Sequence, residues 1–235
     1  MDYSIYEKEC ERINKEVDVL KEKYIDMFES YSKRVVRYET GLGGELLHRG
    51  YYCPSLVEDI IVGNAKRGRI AKRVTSKTKK HFIFGFDKFD NLLTVDRGFE
   101  KEIITRNGNK EVGIIFSEYG INGVSECYYE DDRLISYAYY LRDDEDGVYE
   151  YRKEMYTYTL ENLCVDWISY SDILIQILEH NIYEFQVKDG YLTSYIIKEF
   201  KVDNDSHKVL KCKPFIGNLK PTEEEYQVYV QRKIY

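Results

Sequence analysis

The stretch Tyr128–Leu141 reads YYEDDRLISYAYYL, five tyrosines in fourteen residues around an acidic turn. Aromatic and β-branched residues on either side of a polar pair read as a hairpin. With Asp131-Asp132 as a two-residue loop, alternation sorts the side chains into two sets. Cys127, Tyr129, Leu134, Ser136, Ala138 and Tyr140 share one face, and Glu126, Tyr128, Ile135, Tyr137, Tyr139 and Leu141 share the other. Small residues on the first face would let a helix approach it. The expectation is a sheet with one face on a helix and the other in water. There tyrosine has two uses: an amphipathic strand former for a wet face, or contact area for recognition.

The pattern extends outward from this hairpin. From residue 66 onward, HFIFGF, EIITR, VGIIFSEY, SECYYE, RLISYAYYL, VYEYRKEMYTYT, IYEFQV and YLTSYIIKEF are separated by short Asn-, Asp- and Gly-containing breaks. Such turns join neighbouring antiparallel strands, so the spacing predicts a meander. A loop at Asp189-Gly190 puts Tyr183, Phe185, Val187, Leu192, Ile196 and Phe200 on one side. Glu184, Gln186, Lys188, Tyr191, Thr193 and Tyr195 then lie on the other. Residues 168–181, ISYSDILIQILEHN, fit either a helix or a strand. FDKFDNLLTV, YYEDDRLISY and QVKDGYLTSY share a polar turn just before a leucine (Leu92, Leu134, Leu192), a weak internal repeat.

The first forty residues follow another period. Tyr6, Cys10, Ile13, Val17, Leu20, Tyr24, Met27, Tyr31, Val35 and Tyr38 are spaced by three and four, which predicts one amphipathic helix over 1–40, ended by Gly41, Gly43 and Gly44. It either lies on the rest of the chain or forms a coiled-coil seam for self-association. Residues 41–65 read as a connector, with Ser55 capping a short helix, LVEDII. The fold class expected is therefore α+β: a long N-terminal helix on an antiparallel, largely single-sheet β-meander formed by 66–235.

The totals narrow the function classes. The chain has 235 residues and a net charge of −7, unlike the overall basic balance of nucleic-acid binders. Five scattered cysteines without a CxxC pair read as reduced thiols in a cytosol. The N-terminus carries no signal-peptide pattern, and no run is long and apolar enough to span a membrane. His48, His81, His180 and His207 form no HxH or HExxH pattern, and no GxSxG elbow occurs. No metal, no cofactor and no catalytic residue is expected.

Two charge features stand out. No acid occurs between Ile60 and Phe86, where Lys66, Arg67, Arg69, Lys72, Arg73, Lys77, Lys79 and Lys80 cluster. They read as a solvated edge or as a phosphate-binding surface for nucleic acid or anionic lipid. Acidic tips at Glu130, Asp131 and Asp132, and at Asp143, Asp144 and Asp146, read as hydrated turns or as attraction for a basic partner.

The segment Asn107–Tyr137, NGNKEVGIIFSEYGINGVSECYYEDDRLISY, resembles the MORN-type repeats of bacterial antitoxin and immunity proteins, with Gly113, Phe116, Tyr119 and Gly123 at motif-like places. YYEDDRLISYAYY resembles the Tyr-Asp hairpins of Rhs-type repeats. Both resemblances imply a β-meander built from hairpins. The first also implies a cytosolic protein that neutralises a toxin by binding it. On that reading Tyr128, Tyr137, Tyr139, Tyr191 and Tyr195 supply contact area, and the acidic tips steer the cognate toxin.

Overall fold

The computed structural model describes residues 4–58, 67–142, 149–159, 162–171, 177–188, 191–203 and 208–218. The described residues are mostly strand, with helices α1 (Ser4–Leu20) and α2 (Tyr24–Ser32) and a 3-10 turn at Gly50–Tyr52. Strands β1 (Arg37–Leu42), β2 (Arg69–Ile70), β3 (Phe82–Phe86), β4 (Leu92–Asp96), β5 (Lys101–Asn107), β6 (Lys110–Ser117) and β7 (Gly120–Glu130) come first. They are followed by β8 (Arg133–Arg142), β9 (Tyr149–Tyr158), β10 (Asn162–Ser171), β11 (Ile177–Lys188), β12 (Tyr191–Asp203) and β13 (Lys208–Asn218). Residues 14–125 form one compact unit, and residues 1–13 with 126–235 form another.

The expected α+β architecture with a long N-terminal helix is not what forms. The stripe holds through α1, where Cys10, Ile13 and Val17 are buried, but Lys23 N then bonds Leu20 O in a tightened turn and the helix stops. After the short α2 the chain turns extended. RVVRYET is β-branched and aromatic, and β1 pairs with β3 from Arg37↔Phe86 to Gly41↔Phe82. A partner strand outweighed a helical period that was only nominal there. Tyr38, counted in the stripe, is exposed on β1. Cys10, Ile13 and Val17 of the stripe are buried within the chain.

In the unit 14–125 the sheet order is β6-β5-β4-β3-β1-β2, with these neighbours paired antiparallel. Both faces are covered. On one, Tyr24 and Phe28 of α2 meet Phe116 with ring centroids 5.1 and 5.3 Å apart. On the other, Phe82, Phe84, Phe86, Val95 and Ile104 form a core, and Tyr51 and Tyr52 from the 3-10 turn pack on it. The Tyr52 ring lies edge-on to Phe84 at 4.7 Å. Gly50 (φ 51°) lets this turn descend, since a Cβ there would stand 2.5 Å from the Phe82 ring. So the connector became the second cover of the sheet. Ser55 does accept from Val57 N and Glu58 N, at 3.2 and 2.8 Å, while residues 59–66 lie outside the described set.

In the unit of 1–13 and 126–235 the order runs β8 to β13 in sequence, with β7 beside β8. Asp131 and Asp132 both have positive φ (47° and 59°), as a two-residue hairpin loop of this hand requires. That register makes Tyr137 the cross-strand partner of Glu126. The helix covers this face, not the small-residue face as expected, because Arg12 of α1 reaches Glu126 at 3.0 Å.

Two further expectations are decided here. Residues 168–181, which fit either a helix or a strand, are strand where they are described: 168–171 of β10 pair with 177–180 of β11, while residues 172–176 lie outside the described set. In the next hairpin Lys188↔Tyr191 and Val187↔Leu192 form as expected, but Gln186 then pairs with Ser194. Thr193 is the extra residue of a bulge, and beyond it the faces exchange. Tyr195 stands across from Phe185 (centroids 6.0 Å), and Ile196 across from Glu184.

Truncating the core should be costly and truncating a turn should not. Phe84→Ala is expected to lower unfolding stability in urea by about 3–5 kcal/mol. Phe89→Ala, at a ring 72% exposed on the β3–β4 turn, should stay within about 0.5 kcal/mol.

Candidate interaction surfaces and a closed ion cluster

The densest polar constellation in the unit 14–125 lies inside it. Alternation along β5 puts Glu102 on the same face as Ile104, with Ile115 and Gly113 beside them on β6. Above them stands Arg49, a buried arginine with φ 57°. Its Nε and Nη2 donate to Glu102 at 2.9 and 2.7 Å, its Nη1 to Glu111 at 2.6 Å and its Nη2 to Ser125 at 3.0 Å. Ser125 Oγ donates to Glu102 at 3.1 Å, and His48 Nε2 stands 3.2 Å from the same carboxylate. Gly113 makes room, since a Cβ there would fall 1.9 Å from Glu102 Oε1. A second buried carboxylate, Glu58, accepts from Cys53 Sγ at 2.7 Å and from His48 N at 3.3 Å, fixing the turn that presents Arg49.

This cluster is poorly suited to catalysis. Burial alone would raise the Glu102 pKa, but the Arg49 charge, the His48 ring and hydrogen bonds from both hold it well below the usual carboxylate range. Such a carboxylate is too weak a base to activate Ser125. The cleft beside it, lined by His48, Arg49, Arg97 and Glu102 among others, has a volume of about 10 Å³, close to the room one water needs. Among the described residues no group of His, Cys, Asp or Glu is placed to hold a metal. Cys10, Cys53, Cys127 and Cys164 carry no disulfide. No described helix is long and apolar enough to cross a membrane.

The residues singled out from sequence fall in different places. Tyr137 and Tyr139, expected on an open face, are only 2% and 8% exposed, with rings stacked 6.5 Å apart. Tyr140, on the opposite face, is 0% exposed. Tyr195 is half-buried beside Phe185, and the Tyr191 side chain lies outside the described set. Burial also pushes the Tyr158 and Tyr183 phenols above their ordinary pKa. The proposed phenol face is therefore corrected to a covered one. Tyr128, Glu130, Asp131 and Asp132 are exposed at their hairpin tip, while Asp143, Asp144 and Asp146 lie outside the described residues. Of the basic cluster, Lys66 also lies outside, and Arg67 is half-buried, donating to the Cys53 and Ser55 carbonyls. Arg69, Lys72, Arg73, Lys77, Lys79 and Lys80 are exposed.

A surface that the sequence reading missed lies at one end of the unit 14–125. The β4–β5 and β6–β7 turns share that end, and they display Phe99 (72% exposed) and Tyr119 (85%). Leu46 (69%) sits on the adjoining loop. Arg97 ties these pieces together: it donates to Glu45 O at 2.7 Å and Glu100 at 3.0 Å, and lies 5.4 and 5.2 Å from the Phe82 and Phe99 ring centroids. Asn122 Nδ2 donates to Glu100 at 3.3 Å and links the second turn. Phe99 stood in a polar break and gave no periodic signal. Tyr119 reads in the sequence as the end of the strand VGIIFSEY and as a repeat position.

No protein-family model matches the chain, and neither a curated protein nor a solved structure matches it.

Arg49→Met should lower stability by about 3–5 kcal/mol, because it strands a buried carboxylate, and adding Glu102→Leu should recover most of that loss. The pH dependence has a definite sign. The folded Glu102 pKa is depressed, so its contribution is complete above the ordinary value of 4.5 and is lost as pH falls below it. Urea titrations from neutral to acid pH should therefore show a shallower acid loss in Glu102→Gln than in the wild type.

Proposed function

We propose that this chain is a non-catalytic protein-binding protein of the immunity or antitoxin type, an inhibitor that occludes a bacterial toxin. The observation that supports it most is the trio Leu46, Phe99 and Tyr119, large apolar side chains held out to solvent on loops cross-tied by Arg97. Isolated exposed apolar residues are ordinary. Several on adjoining, hydrogen-bonded loops form a ready anchor for a partner, because aromatic residues carry much of the binding energy of protein interfaces. The resemblance of Asn107–Tyr137 to MORN-type antitoxin repeats supplies the kind of partner, and Tyr119 is one of its motif-like residues. Binding energy is assigned to the turns instead of the sheet face carrying Tyr137 and Tyr139. The acidic Glu130–Asp132 tip retains a steering role toward a basic toxin.

The tagged full chain should co-purify in equal amounts with the product of a neighbouring toxin gene. Phe99→Ala with Tyr119→Ala should weaken that complex by about thirtyfold or more, with an unchanged urea midpoint. Phe89→Ala, on the opposite turns, should leave affinity intact. An unchanged affinity in the double variant would remove this surface from the account, and failure to form any complex would remove the function.

A further inference from the structure

The loop between β2 and β3 serves no purpose in that binding scheme. Its two ends are pinned to adjacent residues of β1: Ala71 N donates to Thr40 O at 2.8 Å, and His81 N donates to Gly41 O at 3.1 Å. The chain between them is thus a closed excursion with a pinched base, in the manner of an Ω-loop. Its tip is a turn in which Thr78 N bonds Thr75 O at 3.0 Å and Thr75 N bonds Thr78 Oγ1 at 2.8 Å. Lys72 and Arg73 lie on the ascending arm, Lys77 in the turn, Lys79 and Lys80 on the descending arm, and Arg69 at the base.

All six cations are exposed, and none is paired with another described side chain. The nearby carboxylates are already engaged, Glu45 with His81 and Glu39 with Arg37 and Tyr52. No acid occurs anywhere from Ile60 to Phe86, in a chain whose net charge is −7. A projecting, unneutralised positive loop on an acidic protein is a local field directed at an anion.

The composition of the loop selects the anion. Protein interfaces centre on aromatic anchors and are poor in lysine, and this loop has four lysines and no aromatic residue between Arg69 and His81. Single strands are held by base stacking, which also needs aromatic residues. A polybasic patch alone anchors weakly to a bilayer, where a second signal is required. Lysine, arginine and threonine or serine hydroxyls without stacking groups suit phosphate contacts that fix position without reading bases.

We infer that the 69–80 loop is a binding surface for the phosphate backbone of a duplex nucleic acid, contacted without sequence preference. The contact is independent of the apolar turns at Phe99 and Tyr119, and a toxin complex is not needed to form it.

The test uses the full chain and a labelled DNA duplex of about 20 base pairs, with an RNA duplex alongside. Up to six phosphate contacts predict a log–log salt slope near about −5, a loss of roughly a thousandfold in affinity between about 50 and 200 mM salt. Replacing Lys72, Arg73, Lys77, Lys79 and Lys80 together by Gln should bring the slope to about −1 while leaving the urea midpoint unchanged, because all five side chains are exposed. Lys88→Gln, on another turn, should leave the slope as in the wild type. Vesicles containing phosphatidylserine and a polyglutamate chain serve as the competing anions. The inference is overturned by no duplex binding at the lowest salt, by an unchanged slope in the five-fold variant, or by tighter binding to the vesicles or the polyglutamate than to the duplex.

Discussion

A strand with tyrosine at neighbouring positions sends phenol rings to both of its faces, and this constraint governs the tyrosine-rich unit. Tyr139 and Tyr140 are adjacent in β8 and both are buried, so neither face there is left to water. The hydroxyls must then find partners inside. Tyr158 donates to Leu134 O at 2.9 Å, and Tyr156 donates to the buried carboxylate of Glu154. Burying a phenol without such a partner would cancel much of what its ring contributes. Tyr156 and Tyr158 are therefore packing residues with an internal hydrogen-bonding end.

The unit 14–125 meets the same requirement with charge. Arg49 reaches Glu102 and Glu111 from the connector and so bonds that connector to β5 and β6. Its left-handed backbone conformation is tolerable because the guanidinium's partners fix it from several sides. Such an arrangement uses up its polar groups: a carboxylate bound by an arginine and a serine has little left for a substrate. Phe99, Tyr119 and the lysines of the 72–80 excursion are exposed on the loops of this unit.

Much of the strand architecture was legible in the sequence, because hairpin turns carry local signals. The Asp131-Asp132 loop and the Lys188↔Tyr191 pairing follow from composition alone, and Ser55 accepts the two backbone N–H groups expected of it. Two of the failures depended on residues distant in sequence, and one on a local bulge. The helical period ran on to Tyr38, but pairing with β3 claimed Arg37–Leu42. Alternation beyond Gln186 was correct until one extra residue, Thr193, exchanged the faces. The Tyr137 face looked open because nothing in its own strand announces Arg12 and α1 above it. Of the proposed binding surfaces, the basic run was visible as a charge pattern. Phe99 and Leu46 were not, since an apolar residue in a turn looks the same whether it folds inward or points out.

The central claim is that the Tyr137, Tyr139 and Tyr140 rings are closed off from solvent, while Tyr119 on its turn and Tyr38 on β1 are open to it. Tyrosine nitration of the native chain, followed by peptide mass mapping over time, tests it most directly. Tyr119 and Tyr38 should be modified first, with Tyr137, Tyr139 and Tyr140 protected until urea unfolds the chain. Modification of Tyr137 and Tyr139 in the native chain as fast as Tyr119 would contradict the account.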